Sequence, residues 1–158
     1  MPPAATQHDP AMSRVIDPFL FDGDALALFH REAPGAYSTR EDLAIMLPAT
    51  LWDARLPRPP DSPSAIQIAD GILGILSGYE FDGASGPAID GVGNILAALI
   101  HDALYESIAQ GATGLTYAAA DSMYRRVCIA QGSGRPRAWL HYATLRSFGW
   151  AWRLTHRR

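Results

Sequence analysis

The chain has 158 residues, which is enough for one domain, since domains commonly contain about 100–150 residues. Hydrophobic residues make up 48% of the sequence, so a sizeable core is expected. The single cysteine, Cys128, excludes an internal disulfide, and no apolar run approaches the ~20 residues of a membrane-spanning helix. The first residues lack the basic and apolar segments of a signal peptide, and together these features fit a reducing compartment.

Charge is distributed unevenly along the chain. Residues 1–121 contain 5 Arg against 16 acidic residues, a balance of −11, whereas residues 122–158 contain 8 Arg and no acid, a balance of +8. Arginine recognises phosphates and carboxylates through its planar guanidinium group. The basic end therefore indicates a phosphate-bearing or acidic partner, or else it neutralises the acidic part of the same chain.

Residues 1–64 are interpreted as an N-terminal arm and linker outside the compact part of the chain. Prolines are frequent over residues 53–64, which is typical of an extended, polyproline-like linker. Such an arm would wrap around the domain or dock on a partner.

Two short helices are predicted within this arm. Asp24 is placed to cap a helix over residues 25–31. Ser38 and Glu41 have the spacing of a capping box, and the apolar residues after them predict a second helix that ends at Pro48.

The stretch from residue 65 to residue 76 predicts a β-hairpin. Its residues alternate and then become apolar around the turn dipeptide Asp70-Gly71. The expected strands are residues 66–69 and 72–76, and the residues around Phe81 are expected to extend the sheet.

Three helices are predicted after the hairpin. Apolar residues recur at helical spacing over residues 93–110 and again over residues 117–131, and Pro136 suits the first turn of a third helix. The predicted fold class is therefore α+β and rich in α-helix, with a small hairpin or sheet followed by three helices and preceded by an extended proline-rich arm. The compact domain is expected at residues 65–152, with a basic tail at residues 153–158.

Polar groups on the first predicted helix mark a candidate site. His101 and Tyr105 are four residues apart and share a helix face, whereas Asp102 points about 100° away. Antiparallel packing would bring Asp121, near the start of the next helix, close to His101 and Tyr105. A carboxylate that orients an imidazole is the arrangement of general base catalysis, and a buried polar network that links two helices is the alternative.

A glycine-rich loop, residues 82–87, precedes this helix. Asp102 would face the loop, and a carboxylate combined with backbone carbonyl groups is an oxygen environment suited to calcium. Asp82 and Ser85 would add side-chain oxygens, and glycines let carbonyl groups converge. The alternative is a tight turn in which Asp82 and Ser85 satisfy backbone donors.

These residues resemble the motifs of two known protein families. The motif H-D-A-L-Y at residues 101–105, followed by A-D at residues 120–121, resembles the active-site motif of phospholipase A2 enzymes, especially the disulfide-free viral type. The cysteines that flank the motif in secreted phospholipases are absent here. The longer pattern D-G-A-S-G-P, H-D-A-L-Y, A-D and R-S-F-G-W resembles an uncharacterised domain family common in phages and prophages, and it spans most of residues 66–152.

The phospholipase resemblance implies a calcium-assisted lipid esterase that acts on the host envelope. His101 would be the general base on water, Asp121 would orient it, and Tyr105 would support Asp121. Asp102 would bind calcium together with carbonyl groups of the loop. The loop residues implied are Gly83, Ala84 and Gly86.

The phage resemblance implies a phage-encoded protein that is made in the host cytoplasm. The alternative to the esterase is a non-catalytic tail, capsid or assembly protein, part of the phage particle, in which the His-Asp cluster is structural. The expected partners are phage structural proteins or an anionic membrane surface, and nucleic acid is disfavoured because no nucleic-acid motif is present. The contacts would come from arginines and tryptophans near the C-terminus: Arg146, Trp150, Trp152, Arg153, Arg157 and Arg158.

Overall fold

The computed structural model describes residues 14–57, 64–82 and 94–144, which form an α+β fold as predicted. Among these residues, seven strands and two 3-10 helices (Ala25–Leu28 and Ala49–Leu51) precede three α-helices. The strands are β1 (Arg14–Ile16), β2 (Phe29–Ala33), β3 (Ala36–Thr39), β4 (Leu43–Met46), β5 (Ile66–Ala69), β6 (Ile72–Ile75) and β7 (Glu80–Asp82). The helices are α1 (Ile95–Ala109), α2 (Tyr117–Ala130) and α3, whose described part is residues 135–144.

The strands form two small sheets. The four-stranded sheet has the order β1-β4-β6-β5, in which β1 is parallel to β4 and the other pairs are antiparallel. The three-stranded sheet has the order β2-β3-β7 and is antiparallel throughout. Each sheet thus combines strands from before and after the proline-rich stretch.

The hairpin of β5 and β6 confirms the sequence prediction. Asp70 and Gly71 both have positive φ, at 52° and 74°, which is the backbone that a two-residue hairpin turn requires. A side chain at Gly71 would also meet the ring of Trp52, because an added Cβ would lie 2.7 Å from its Cδ1 atom. Glycine is therefore needed at this position for both its conformation and its size.

The interpretation of residues 1–64 as an arm is wrong for residues 14–57. This stretch contributes β1 to β4, and it buries Ile16, Leu28 and Ile45 in the core. Its apolar residues occur in short groups separated by turns, so no single group is long enough to predict a core element. Tertiary pairing with β6 and β7 collects them into the sheets. Most of the prolines of the predicted linker fall in residues 58–63, outside the described residues.

The two short helices predicted within the arm are also corrected. Asp24 does cap a helical turn, since its carboxylate accepts the Leu26 N–H at 3.0 Å, but the turn is a 3-10 helix that ends at Leu28. The chain then enters β2 instead of continuing to residue 31. The second predicted helix is strand β4, in which buried positions alternate with more exposed ones. A run of four apolar residues fits either periodicity, and pairing with β1 and β6 decides for the strand.

The expected capping box is absent for the same reason. Ser38 lies in β3, and its hydroxyl donates to Glu32 at 2.6 Å. Glu41 instead forms an exposed ion pair with Arg14 at 3.3 Å. Ser38 therefore links β3 to β2, and Glu41 links the segment before β4 to β1.

Helices α1 and α2 lie where helical periodicity predicts them. Pro136 occupies the first turn of α3, as expected, because proline needs no hydrogen-bond donor there. Helix α1 packs against α2 on one side and against β5 and β7 on another. This central position brings the polar residues of α1 between the second helix and the smaller sheet.

Candidate active site

Helix α1 carries three polar side chains in the middle of an apolar sequence. His101 and Tyr105 are one turn apart and both reach Asp121 of α2. Asp102, the next residue along, lines a cleft between α1 and β7 instead. The helical period therefore turns His101 toward α2, as predicted, whereas residues 83–87 of the loop that Asp102 was expected to face lie outside the described residues.

Asp121 is fully buried near the start of α2. The side-chain oxygen of Thr116 caps this helix by accepting the Ala119 N–H at 3.1 Å. The cap fixes where the helix begins, and Asp121 then lies on the buried side, with 0% exposure. A buried carboxylate is costly without partners, so its surroundings must satisfy it.

His101 and Tyr105 supply those partners. Nε2 of His101 lies 3.0 Å from Oδ1 of Asp121, and the Tyr105 hydroxyl donates to the same oxygen at 2.6 Å. The predicted proximity of these three residues is confirmed by these distances. Their catalytic roles stay a prediction.

The imidazole of His101 is held between two aromatic rings. The ring of Tyr105 lies 4.2 Å from it and is tilted, and the ring of Tyr124 meets it edge-on at 5.6 Å. Tyr117 packs in turn against Tyr105 at 4.8 Å. With only 7% of the residue exposed, the imidazole is positioned by packing as well as by hydrogen bonds.

The second nitrogen of His101 faces Asp102. The Nδ1 atom lies 3.4 Å from Oδ1 of Asp102, which is longer than the 3.0 Å contact with Asp121 on the other side of the ring. The Asp102 side chain is 35% exposed, so it connects the buried imidazole with the cleft. The Asp102 side chain therefore lies between His101 and solvent. Its contact with the imidazole is a single long, weak hydrogen bond.

These contacts shift the pKa values of both groups. Burial by itself lowers the pKa of His101, but its hydrogen bonds to Asp102 and Asp121, together with their negative charges, raise the pKa above 6.5. Burial raises the pKa of Asp102, and the charge of Asp82 adds to this, whereas the hydrogen bond and charge of His101 oppose it. The two carboxylates therefore stabilise the imidazolium that forms when His101 accepts a proton.

The cleft beside Asp102 has a volume of about 690 Å³. It lies between the smaller sheet and the second half of α1. Asp102 and Tyr105 form part of its wall, so the His-Asp network borders it without His101 lining it directly. The other lining residues are Glu32, Ala36, Tyr37, Tyr79, Glu80, Phe81, Asp82, Glu106 and Ala109.

Sequence reasoning missed one pair in this wall. The hydroxyl of Tyr79, the residue before β7, donates to Oε2 of Glu106 on α1 at 2.9 Å. Burial and the carboxylate of Glu106 raise the pKa of Tyr79, so its hydroxyl stays protonated. Helical spacing could have predicted that Glu106 lies one turn after Asp102 on the same face of the helix. No local sequence pattern relates Glu106 to Tyr79.

The predicted calcium ligands are only partly within the described residues. Asp82 and Asp102 both line the cleft. Gly83, Ala84, Ser85 and Gly86 lie outside the described residues, so the proposed loop contacts stay a prediction. Among residues 14–57, 64–82 and 94–144, no three His, Cys, Asp or Glu side chains are grouped closely enough to hold a metal by themselves.

The fold and the site define an α+β protein with a buried His-Asp-Tyr network beside an acidic cleft. Residues 65–145 match the family described as "Protein of unknown function (DUF1353)", and the chain belongs to this family. No curated protein and no solved structure matches the chain. Within the part of the chain that the structure describes, no helix has the length and apolar character needed to cross a membrane.

Proposed function

We propose that this protein is a carboxylic ester hydrolase of phospholipase A2 type, with His101 as its general base. The observation that carries the proposal is the short chain of contacts from Tyr105 and His101 to the buried Asp121, which borders a cleft through Tyr105 and Asp102. A buried carboxylate that orients an imidazole is the usual support of a histidine base. The cleft supplies the space that a substrate requires.

The two ring nitrogens of His101 have different tasks in this mechanism. Nε2–H donates to Asp121, which fixes the ring and leaves the lone pair of Nδ1 for a proton. Asp102 has to move away from Nδ1 before water can take its place. The 3.4 Å separation between Nδ1 and Oδ1 of Asp102 is at the long limit of a hydrogen bond, so this movement costs little free energy.

Ester hydrolysis then follows in two steps. Water attacks the ester carbonyl carbon while Nδ1 of His101 takes its proton, and a tetrahedral oxyanion forms. Collapse of this intermediate breaks the bond to the leaving alcohol, which receives the proton back from His101. Asp121 stabilises the imidazolium formed between the two steps, and Tyr105 holds Asp121 in position.

Calcium, which the phospholipase resemblance implies, fits the chemistry of this wall. Asp82 and Asp102 are hard oxygen donors that line one cleft, and the charge of Asp82 is close enough to disfavour ionisation of Asp102. These two residues would hold the ion. When bound, calcium would polarise the ester carbonyl and stabilise the oxyanion.

The biological setting that we propose rests on the sequence motifs alone. The chain would be phage-encoded, made in the host cytoplasm, and directed at the lipid of the host envelope through the arginines and tryptophans near its C-terminus. These residues suit an anionic membrane surface, since tryptophan lies at the interface and arginine pairs with lipid phosphate.

A second candidate function is a non-catalytic component or assembly factor of a phage particle. The observation that favours it is the close confinement of His101, which is 7% exposed and has a carboxylate at each ring nitrogen. A ring engaged in this way can link α1 to α2 without taking part in any reaction.

Hydrolysis assays on the purified protein separate the two candidates. Fatty-acid release from mixed phospholipid vesicles would be measured with calcium and with a chelator, in parallel with a soluble short-chain ester. A His101→Gln variant retains a donor for Asp121 and removes the base. We expect it to lose about 100- to 10,000-fold in rate while it stays folded by circular dichroism.

The matched control is Glu41→Gln, which changes an exposed carboxylate paired with Arg14 outside the cleft. Its rate should equal that of the wild type. Absence of hydrolysis by the folded wild-type protein on every ester, or equal rates for His101→Gln and wild type, would reject the hydrolase and favour the structural network.

A further inference from the structure

We propose that helix α3 supports the candidate active site through Tyr124, and that protonation of His141 on α3 releases this support. For its effect on catalysis, this regulation rests on the proposed hydrolase. The contacts between the helices and the response of α3 to acid do not depend on catalysis.

Tyr124 connects the His-Asp network with α3. It lies one turn after Asp121 on α2 and is only 3% exposed. Its ring meets the imidazole of His101 edge-on at 5.6 Å, and the same ring lies 6.4 Å from the imidazole of His141. Because a packed interior leaves little free space, a displacement of α3 changes the position of Tyr124 and thereby the surroundings of His101.

The described part of α3 is held by few contacts. Two of its residues are buried, and the larger of them is His141. Trp139 and Leu140 are 60% and 56% exposed. The guanidinium group of Arg125 adds a contact from α2, 5.3 Å from the centre of the Tyr142 ring. An element with few buried contacts opens at a low cost in free energy, so the charge state of His141 has a large influence on the position of this helix.

The surroundings of His141 favour a neutral ring. Its buried Nδ1 atom has no hydrogen-bond partner among the described residues. From α3 it meets the positive charge of Arg137, and from α2 it meets the ring of Tyr124. Tyr124 is hydrogen-bonded to Cys128, whose pKa burial raises to about 11, so the thiol is uncharged. Arg125 is a second cation on α2, and residues 122–158 contain no carboxylate that would compensate a charge on His141.

Acid therefore opposes the packing of α3 on α2. Burial and the charge of Arg137 lower the pKa of His141 below 6.5, and the ring regains its ordinary value when the helix is released. The packed position is thus most stable above pH 6.5 and loses stability as the pH falls from 6.5 toward the lowered value. His101 contributes with the opposite sign, because its pKa in the folded protein is raised.

Hydrogen exchange of the α3 amides in the full chain tests the release, about one pH unit above and about one unit below 6.5. After correction for intrinsic rates, we expect the protection of residues 138–144 to fall by up to about tenfold at the lower pH. His141→Phe keeps a buried ring that cannot become charged, so its protection should be equal at both pH values. His30→Phe, the same exchange at an exposed position of β2, should respond to acid as the wild type does.

NMR signals of the His101 imidazole measure the coupling between α3 and the site. His141→Arg places a permanent charge at this position, and we expect it to release α3 and to shift these signals at the higher pH. The matched control is Leu140→Arg, which adds the same charge at the neighbouring exposed position and should leave the signals unchanged. With a hydrolysable ester, His141→Arg should lower kcat by about tenfold or more with a smaller change in KM, whereas Leu140→Arg should change neither.

The results separate the release of α3 from the hydrolase. Protection of α3 that does not depend on pH, or that falls equally in His141→Phe, would overturn the response to acid. Release of α3 with unchanged His101 signals would overturn the support of the site. Both effects in a protein that hydrolyses no ester would reject the hydrolase and retain the acid-sensitive support of the His-Asp network.

Discussion

The interior of the two sheets and the contact between α1 and α2 are both buried, but they differ in the kind of side chain that they bury. The sheets bury apolar side chains such as Ile45, Leu73 and Ile75. The helix contact instead encloses His101 and Asp121. Apolar burial stabilises a fold directly, at about 25 cal/mol per Å². A buried ionic pair returns little net stability, because desolvation offsets its attraction.

This difference indicates that the contact between α1 and α2 is arranged for the geometry of its polar groups more than for stability. Well-packed apolar residues at positions 101 and 121 would hold the two helices together at least as well. A polar network in their place fixes ring orientation and charge beside a cleft. Such a network is what the proposed hydrolase requires. Three predictions test the difference between the sheets and the helix contact.

The largest effects are expected from matched truncations of the two regions. Asp121→Ala should lower the free energy of unfolding by about 3–5 kcal/mol, because it leaves His101 buried without its partner. Leu73→Ala, which opens a cavity in the sheets, should lower it by about 2–5 kcal/mol. Urea unfolding measures both changes.

Activity should distinguish these two variants below their unfolding transitions. Leu73→Ala should keep the hydrolysis rate of the folded fraction, whereas Asp121→Ala should lose it. If both variants lost the same fraction of activity, the contrast between a stabilising region and a functional one would fail.

An intermediate effect is expected from Tyr105→Phe. The change removes one hydroxyl donor from Oδ1 of Asp121 but keeps the ring that packs on His101. Loss of a donor to a buried charge should lower the free energy of unfolding by about 1–3 kcal/mol. Urea unfolding is again the measurement, and Tyr142→Phe, on α3, is the control for removal of a hydroxyl elsewhere.

The smallest effect is a dependence of stability on pH. The folded-state pKa of His101 is raised above 6.5, so its contribution is complete below pH 6.5 and is lost as the pH rises through the folded value. The free energy of unfolding should therefore fall between pH 6.5 and alkaline pH, by at most about 1.4 kcal/mol per pH unit from this group. A His101→Gln variant should lack this component, and an unchanged slope in that variant would contradict the pKa shift.

Several features of the molecule follow from the sequence by itself. Helical spacing placed α1 and α2, and the dipeptide Asp70-Gly71 identified the hairpin, because these signals are local. The four-residue separation of His101 and Tyr105 fixed a shared helix face. A short connection to the next helix then made Asp121 their expected partner, since neighbouring antiparallel helices pack closely.

Tertiary structure decided the rest, because it depends on contacts between distant residues. The run Leu43–Met46 is too short to distinguish a helix from a strand, and only the neighbours β1 and β6 make it a strand. Strand β3 pairs with β7 some forty residues later, as Tyr37 opposite Phe81 illustrates. No local pattern encodes that pairing, and it brings Glu32 of β2 and Glu80 of β7 into one sheet beside the cleft.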